Sequence, residues 1–262
     1  MTNAALHVAR TGLDAQQERM RVIANNIANV NTNGFKSERA NFQTLAYEQI
    51  TAPGATSSGD DKYATGLSLG SGVQMTGTAR SDTQGSFKQT GNSLDLAIQG
   101  GGFFQVQMPD GTTAYTRDGA FNLSSTGQIV TADGKPVIPN MTVPDGATAI
   151  TIGTDGTVSA SVAGATSPTE IGKIETTRFV NPAGLQSIGG NLLIATAASG
   201  DPQTGAPGSE GRGAIAQGNL EASNVSVVEE LVDMIETQRA YEVNSKMISA
   251  TDQMLQYLNQ NV

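Results

Sequence analysis

NVSVVEELVDMIETQRAYEVNSKMISATDQMLQYLNQN, residues 224–261, decides the architecture. It contains neither Pro nor Gly, and Val227, Met234, Tyr241, Ile248 and Leu255 recur every seven residues, with Leu231 as a second seam position. That is the apolar period of a helix built to pack along another helix. A second apolar stripe, Val228, Val232, Ile235, Met247, Met254 and Leu258, lies roughly 100° around the axis. Asn224 or Ser226 suits the start as a cap, and Ser226 with Glu229 fits a capping box. Glu229, Glu230 and Asp233 sit where the helix dipole favours negative charge. One partner helix cannot cover both stripes, so this helix is expected to associate.

Its first expected partner is the other end of the chain. Leu6, Leu13, Met20 and Ile27 repeat every seven residues, as do Ala9, Gln16, Ile23 and Val30. The pattern stops at Asn33-Gly34, where a residue with positive φ is expected just past a helix end. An ordinary globular helix carries such a stripe too. Two heptad helices at the extreme termini, flanking a different middle, favour a coiled-coil hairpin of the chain ends. Asn25, Asn26, Asn29, Asn31 and Asn33 cluster where the first helix ends. Buried between helices they require amide partners and fix register, whereas Asn31 and Asn33 also suit a turn.

The totals narrow the function. A chain of 262 residues is long enough for a real core, in one domain or two. Its net charge of −9 argues against nucleic acid as a partner. Residues 1–35 carry a net charge of +1 and residues 224–262 a net of −4, a mild complementarity of the two ends. With no cysteine there is neither a disulfide framework nor a thiolate metal site, and no cofactor or metal is expected. The single histidine, His7, adjoins the seam residue Leu6 and reads as structural. No run of 18 apolar residues is present, and the N-terminus lacks a basic region followed by an apolar one, so export without a cleaved signal is the expected route if the protein leaves the cytoplasm.

Between the helices the period changes. Residues 51–72 are rich in Gly, Ser, Thr and Ala and read as an extended or partly ordered linker, or a plain flexible loop. From Val73 to about Thr196 the period is two. Phe104, Val106 and Met108 alternate with Phe103, Gln105 and Gln107 as a strand with two unequal faces, and Pro109-Asp110-Gly111 turns it into Thr112–Thr116. Asp-Gly recurs at 118–119, 133–134, 145–146 and 155–156, which predicts an antiparallel all-β domain. None of these has a calcium-loop ligand ladder, so turns are the expectation. Residues 197–219 read as a Gly/Pro-rich connection, and the formal G-x-G-x-x-A at Gly211, Gly213 and Ala216 follows a loop, which removes it as a dinucleotide fingerprint. Asp95, Asp110 and Asp118 are the carboxylates available to a glycosidase-like pair, but they read as turn residues. No catalytic residue is assigned.

Three stretches carry a family likeness: ANNIANVNTNGFKSERANF at 24–42, GNSLDLAIQGGGFFQV at 91–106 continued by AYTRDGAFNLSSTGQIVTADG at 114–134, and residues 224–255. The chain resembles the axial rod and hook family of the bacterial flagellum nearly end to end, most strongly its distal-rod members. The resemblance implies an α+β subunit, with long N- and C-terminal helices forming a coiled-coil assembly domain (1–35 with 224–262), an extended segment (36–72) and an outer antiparallel all-β domain (73–223). It implies a homo-oligomeric, helically assembled hollow drive shaft in the basal body, spanning the periplasm and carrying torque toward the hook, and no enzyme activity. Implied partners are proximal rod proteins and hook protein at the rod's ends, the surrounding L- and P-ring proteins, the type III export apparatus and a rod cap. The implied self-assembly residues are Leu6, Leu13, Met20, Ile23, Ile27, Val30, Val227, Leu231, Met234, Tyr241, Ile248 and Leu255. The family motif falls on Asn25, Asn26, Asn29, Asn33, Gly34 and Phe35. Leu45 to Ser71 looks like the extra stretch that separates a straight rod from a bent hook.

Two other readings stand beside this one. A proximal rod paralogue shares the β domain. A different class, a β-rich carbohydrate-binding or hydrolytic domain on an oligomerising stalk, requires an aromatic-lined cleft, and the chain offers no Trp, 7 Phe and 5 Tyr.

Overall fold

A computed structural model describes residues 2–58, 61–162 and 167–260 of the chain. They form two compact units: Met1–Ala28, Glu38–Arg80 and Ser226–Val262 make the first, and Asn29–Ser37 with Ser81–Val225 the second.

The first unit contains the two long helices, α1 (Thr2–Ala28) and α2 (Val227–Gln260). At 34 residues α2 extends about 51 Å. The Glu230 amide bonds the Ser226 carbonyl, which puts Ser226 at the cap position. Asn224 does not cap; its side chain is used elsewhere. Helix α1 ends at Ala28, several residues before Gly34, because the chain then enters a turn closed by the Thr32 amide on the Asn29 carbonyl. The helices run side by side and antiparallel, since Gly12 meets Asn244, Arg19 meets Asp233 and Asn26 meets Glu230.

Residues 38–80 differ from an extended linker. They form one nested antiparallel hairpin: β1 (Glu38–Thr44) pairs β6 (Val73–Arg80), β2 (Tyr47–Thr51) pairs β5 (Leu67–Gly70), and β3 (Thr56–Ser58) pairs β4 (Asp61–Lys62). The tip, residues 59–60, lies outside the described residues. Small residues that read as linker here allow close strand approach: Tyr47 faces Gly70, where a Cβ would lie only 3.3 Å from the tyrosine ring. The base of the hairpin lies on α1. There Thr11 Oγ1 accepts the Val73 amide, and His7 Nδ1 donates to the Ser71 carbonyl.

The second unit is antiparallel throughout its described pairings. Its seven-stranded sheet is built around Phe103–Gln107 and Thr113–Thr116. The expected unequal faces of Phe103–Gln107 are in fact both buried. One face sends Phe104 into the main core with Leu96, Ile98, Phe121, Val137, Val158, Ile174 and Ile215. Phe104 and Phe121 meet edge to face at 5.2 Å. On the other face Phe103 and Tyr115 both pack edge-on to Phe179. Gln105 is tolerated there because its amide donates to Thr177 Oγ1 and Thr204 Oγ1.

Most Asp-Gly pairs are turns as expected, with Gly111, Gly134, Gly146 and Gly156 at positive φ. Asp118-Gly119 is the exception. A Cβ at Gly119 would collide with the Leu96 carbonyl, so that glycine serves close backbone approach. Residues 197–219 are more than a connection: Gln203–Gly205 pairs Thr176–Arg178, and Ala214–Gln217 pairs Leu96–Gln99. Arg212 is buried within this stretch, paired with Glu210.

Candidate assembly interface

The α1–α2 seam is half apolar and half polar. Met234, Tyr241 and Ile248 are half-buried at seven-residue intervals. Glu230, Thr237, Asn244 and Thr251 form the alternate row, also withdrawn from solvent, with Thr237 fully buried. Thr237 and Thr251 return their hydroxyls to the carbonyls of Asp233 and Met247, so burial leaves neither unsatisfied. Among the described side chains of α1 the most buried are Ala9, Ala15, Ile23 and Asn26. Gly12 stays in the middle of a helix, at a cost of about 1 kcal/mol relative to Ala, because a Cβ there would lie 3.1 Å from Asn244 Nδ2.

Asn26 is the seam's hydrogen-bond hub. Its Nδ2 donates to the Glu38 carbonyl at 2.8 Å and to Glu230 Oε1 at 2.9 Å, and its Oδ1 accepts the Glu38 amide at 3.0 Å. One amide thereby ties the end of α1, the start of β1 and the first turn of α2. Burial moves the Glu230 carboxyl upward from its ordinary range; the Asn26 hydrogen bond opposes this, while Asp233 and Glu229 add to it. The Arg19–Asp233 pair at 3.5 Å is partly exposed, a type worth at most about 1 kcal/mol.

Of the residues assigned to assembly from sequence, Leu6, Leu13, Met20 and Ile27 are half-buried and Ile23 is buried. Val30 falls beyond the end of α1, in the second unit. Val227 and Leu231 are exposed, and the Leu255 side chain lies outside the described residues. In the motif, Asn25 is exposed and Asn29 accepts the Thr32 hydroxyl. Phe35 is half-buried, and the Asn33 carbonyl accepts the Asn191 amide.

A second apolar face on α2 is open to water. Val228, Val232, Ile235, Val243, Met247, Met254 and Tyr257 are all exposed by half or more. At 100° per residue they span an arc of about 120°, centred about 150° from the seam. The 100° read from the sequence is too small: the apolar row of Met234, Tyr241 and Ile248 alone lies about 180° from this face, and the polar row brings the seam centre back to about 150°. The hairpin adds Phe42, Tyr47, Ile50, Tyr63, Leu67 and Leu69 to the exposed apolar surface. Contiguous patches of this kind mark association surfaces.

In the second unit Lys36 and Arg117, from two of the quoted motif regions, meet Glu221, three residues before the third region, in a buried charge cluster. Lys36 Nζ and Arg117 Nη1 hold the two oxygens of Glu221 at 2.5 and 3.2 Å, and the Gly85 amide donates to the same carboxylate. All three charged side chains are less than 10% exposed. Arg117 also donates to the Gly100 carbonyl and lies 5.3 Å over the Phe103 ring. Burial pulls the Lys36 ammonium below the ordinary lysine range, against the pull of Glu221 in the other direction. Around the cluster the Gly34 amide bonds the Glu221 carbonyl, and a Cβ at Gly34 would press to 2.7 Å from the Arg117 backbone. Asn224 Oδ1 accepts the Ser37 amide while its Nδ2 donates to the Ser81 and Thr83 carbonyls. The segments adjoining both helices in sequence are therefore clasped to one another inside this unit.

Hydrophobic periodicity did not reveal Lys36, Arg117, Glu221, Asn224 or the polar seam row. The available signal was the seven-residue spacing of Glu230, Thr237, Asn244 and Thr251, together with charged residues inside otherwise apolar motifs.

No group of three or more metal-binding side chains occurs among the described residues. A polar pocket lined by Thr116, Asp118, Asp133 and Asn191 contains no aromatic side chain in its lining. Asp118, in that lining, accepts from the Ala120 amide, and Asp95, outside it, accepts from Asn92 Nδ2. No helix among the described residues is long and apolar enough to cross a membrane.

Three family models match the chain in order. Residues 6–36 match the flagella basal body rod protein family, residues 97–160 the flagellar hook protein FlgE/F/G D1 domain, and residues 216–261 the flagellar basal body rod FlgEFG protein C-terminal family. The chain is 52% identical to the flagellar basal-body rod protein FlgG of Buchnera aphidicola (Acyrthosiphon pisum), over 98% of each chain. It is 47% identical to that of Caulobacter vibrioides, again over 98% of each. The hook-basal body complex protein FlhP of Bacillus subtilis is 32% identical over 96% of each. The chain thus belongs to the flagellar basal-body rod protein family, whose members are structural subunits and not enzymes.

Proposed function

We propose that this protein is the structural subunit of the distal rod, polymerising helically into a hollow shaft that carries torque across the periplasm to the hook. The observation that carries the reading is the open apolar face of α2, opposite the face that α1 covers. A subunit with a single intrachain seam leaves this face to water, and burial gains about 25 cal/mol per Å² of apolar area. The contact joins unlike surfaces, the α2 face of one copy and another element of the next, so it propagates instead of closing. In the assembly, heptad packing of α1 and α2 extends into a coiled coil whose polar row sets register.

The 52% identity to a flagellar basal-body rod protein FlgG over nearly the whole of both chains supports the rod assignment. On this reading the rod meets proximal rod proteins and hook protein at its ends and passes through the L and P rings. Its subunits travel unfolded through the flagellar type III apparatus to a rod cap. The test is electron microscopy of the purified full chain during concentration. Straight tubes of uniform diameter are expected, and a protein that stays monomeric at every concentration, without a cap or template, and also with rod ends added as seeds, would overturn the reading.

A further inference from the structure

We infer that Asp145-Gly146 is a site of spontaneous isoaspartate formation in the folded protein, and that the fold shields the other Asp-Gly pairs and Asn33-Gly34. The chemistry needs two things: a free Asp carboxyl and a following glycine nitrogen able to attack it. The Gly146 nitrogen adds to Asp145 Cγ and expels the carboxyl oxygen as water, giving a cyclic succinimide. Water then adds back at either ring carbonyl. One opening restores aspartate. The other routes the main chain through the side-chain carbonyl, adding a methylene to the backbone with no net change in atoms.

The turns differ in which position the glycine takes. In Met108–Gly111, Thr131–Gly134 and Gly153–Gly156 the glycine is the last residue, and its amide donates to the first residue's carbonyl. The attacking nitrogen is thus tied down at Asp110, Asp133 and Asp155. In Pro144–Ala147 the closing bond comes from Ala147, so Gly146 is a central residue at φ +82°. Among the described residues no hydrogen bond ends on its amide.

The carboxyls divide the same way. Asp110 accepts from the amide and hydroxyl of Thr112, Asp155 from those of Thr157, and Asp133 from Lys135. Thr112 and Thr157 hold the Asp110 and Asp155 carboxyls below the ordinary range, which disfavours the protonated form from which water leaves. Asp118 accepts from the Ala120 amide, beside a glycine packed on the Leu96 carbonyl. Asp145 is exposed, and no bond or ion pair engages its carboxyl among the described residues. At Asn33 the attacking nitrogen of Gly34 is bonded to the Glu221 carbonyl at 2.8 Å.

The full chain, aged at neutral pH, is probed with protein-isoaspartate methyltransferase and labelled S-adenosylmethionine, followed by peptide mapping. Methyl label is expected on the peptide holding Asp145 about fivefold or more above each other Asp-Gly peptide, the factor that one turn hydrogen bond supplies. Asp145→Glu should remove that label, and Asp145→Asn should release ammonia from the same turn. Ageing in urea should level the five Asp-Gly sites and make Asn33 the fastest. Equal or greater label at 110, 118, 133 or 155 in folded protein, absence of label at 145, or Asn33 reacting equally fast folded and unfolded would each overturn the inference.

Discussion

Lys36 Nζ lies 2.5 Å from Glu221 Oε1, with both side chains almost entirely removed from water and Arg117 on the carboxylate's other oxygen. Two cations share one anion. Deleting the anion strips both buried cations of their shared carboxylate, whereas deleting Lys36 leaves an intact Arg117–Glu221 pair. Glu221→Ala should therefore destabilise the second unit by about 3–5 kcal/mol, and Lys36→Met by distinctly less. Urea unfolding followed by circular dichroism measures both; equal losses would mean that Arg117 does not hold Glu221 alone.

Asn26 should matter more than its size suggests. It satisfies both backbone groups of Glu38 as well as Glu230. Asn26→Ala leaves buried peptide groups without partners, costing about 1–3 kcal/mol. Hydrogen exchange should accelerate at Glu38 and along β1, while amides around Phe104 stay protected. Unchanged exchange in β1 would remove Asn26 from the seam's support.

Asp118 supplies a pH signature. Burial raises its carboxyl above the usual 3.8, so the folded state holds the proton more tightly than the unfolded chain. Its stabilising contribution is therefore full below pH 3.8 and is lost as pH rises through the elevated folded value. The melting temperature of the wild type minus that of Asp118→Asn should fall on going from acid to neutral pH. A difference that is flat, or that grows with pH, would contradict the burial argument.

The open α2 face and the seam can be separated by mutation. Ile235→Asp alters a side chain already half exposed, so the monomer should change by no more than about 0.5 kcal/mol. Rod formation should be lost, because the same carboxylate would be buried unpaired between subunits. Assembly at normal yield would mean that this face is not the contact.

How legible all this was in sequence depends on the residue. Val227, Met234, Tyr241 and Ile248 announced a packing helix because apolar residues at a fixed period have no other use on a long polar helix. The actual seam centre was hidden because Thr237 and Asn244 are polar, and nothing local says that a threonine hydroxyl will turn back to its own helix. Asp-Gly pairs announced turns by conformational need, but not which turn position the glycine takes. The hairpin of residues 38–80 was missed because its outer strands are short, its base is bulged at Asn41/Phe42, and small residues fill its returning side, so no period of two survives. Lys36, Arg117 and Glu221 are far apart in sequence, and only the fold brings their charges together.

The hairpin yields the last prediction. Its outer ladders, β2–β5 and β3–β4, add Tyr47, Ile50, Tyr63, Leu67 and Leu69 to the exposed surface, whereas the hairpin packs on α1 through β1 and β6. The ladder is nested, so it can be shortened without breaking register: the Leu45 amide already bonds the Gly72 carbonyl. Replacing residues 46–71 by an Asn-Gly turn keeps β1–β6 whole. If the outer ladders lie against neighbouring subunits, they resist the sliding by which a tube bends. The shortened protein should fold, with unchanged helix content and β1 exchange, and should still assemble. Its rods should show a shorter persistence length in electron micrographs. Rods of unchanged stiffness would remove the hairpin from the mechanical role, and failure of the shortened chain to assemble would make it a primary contact instead.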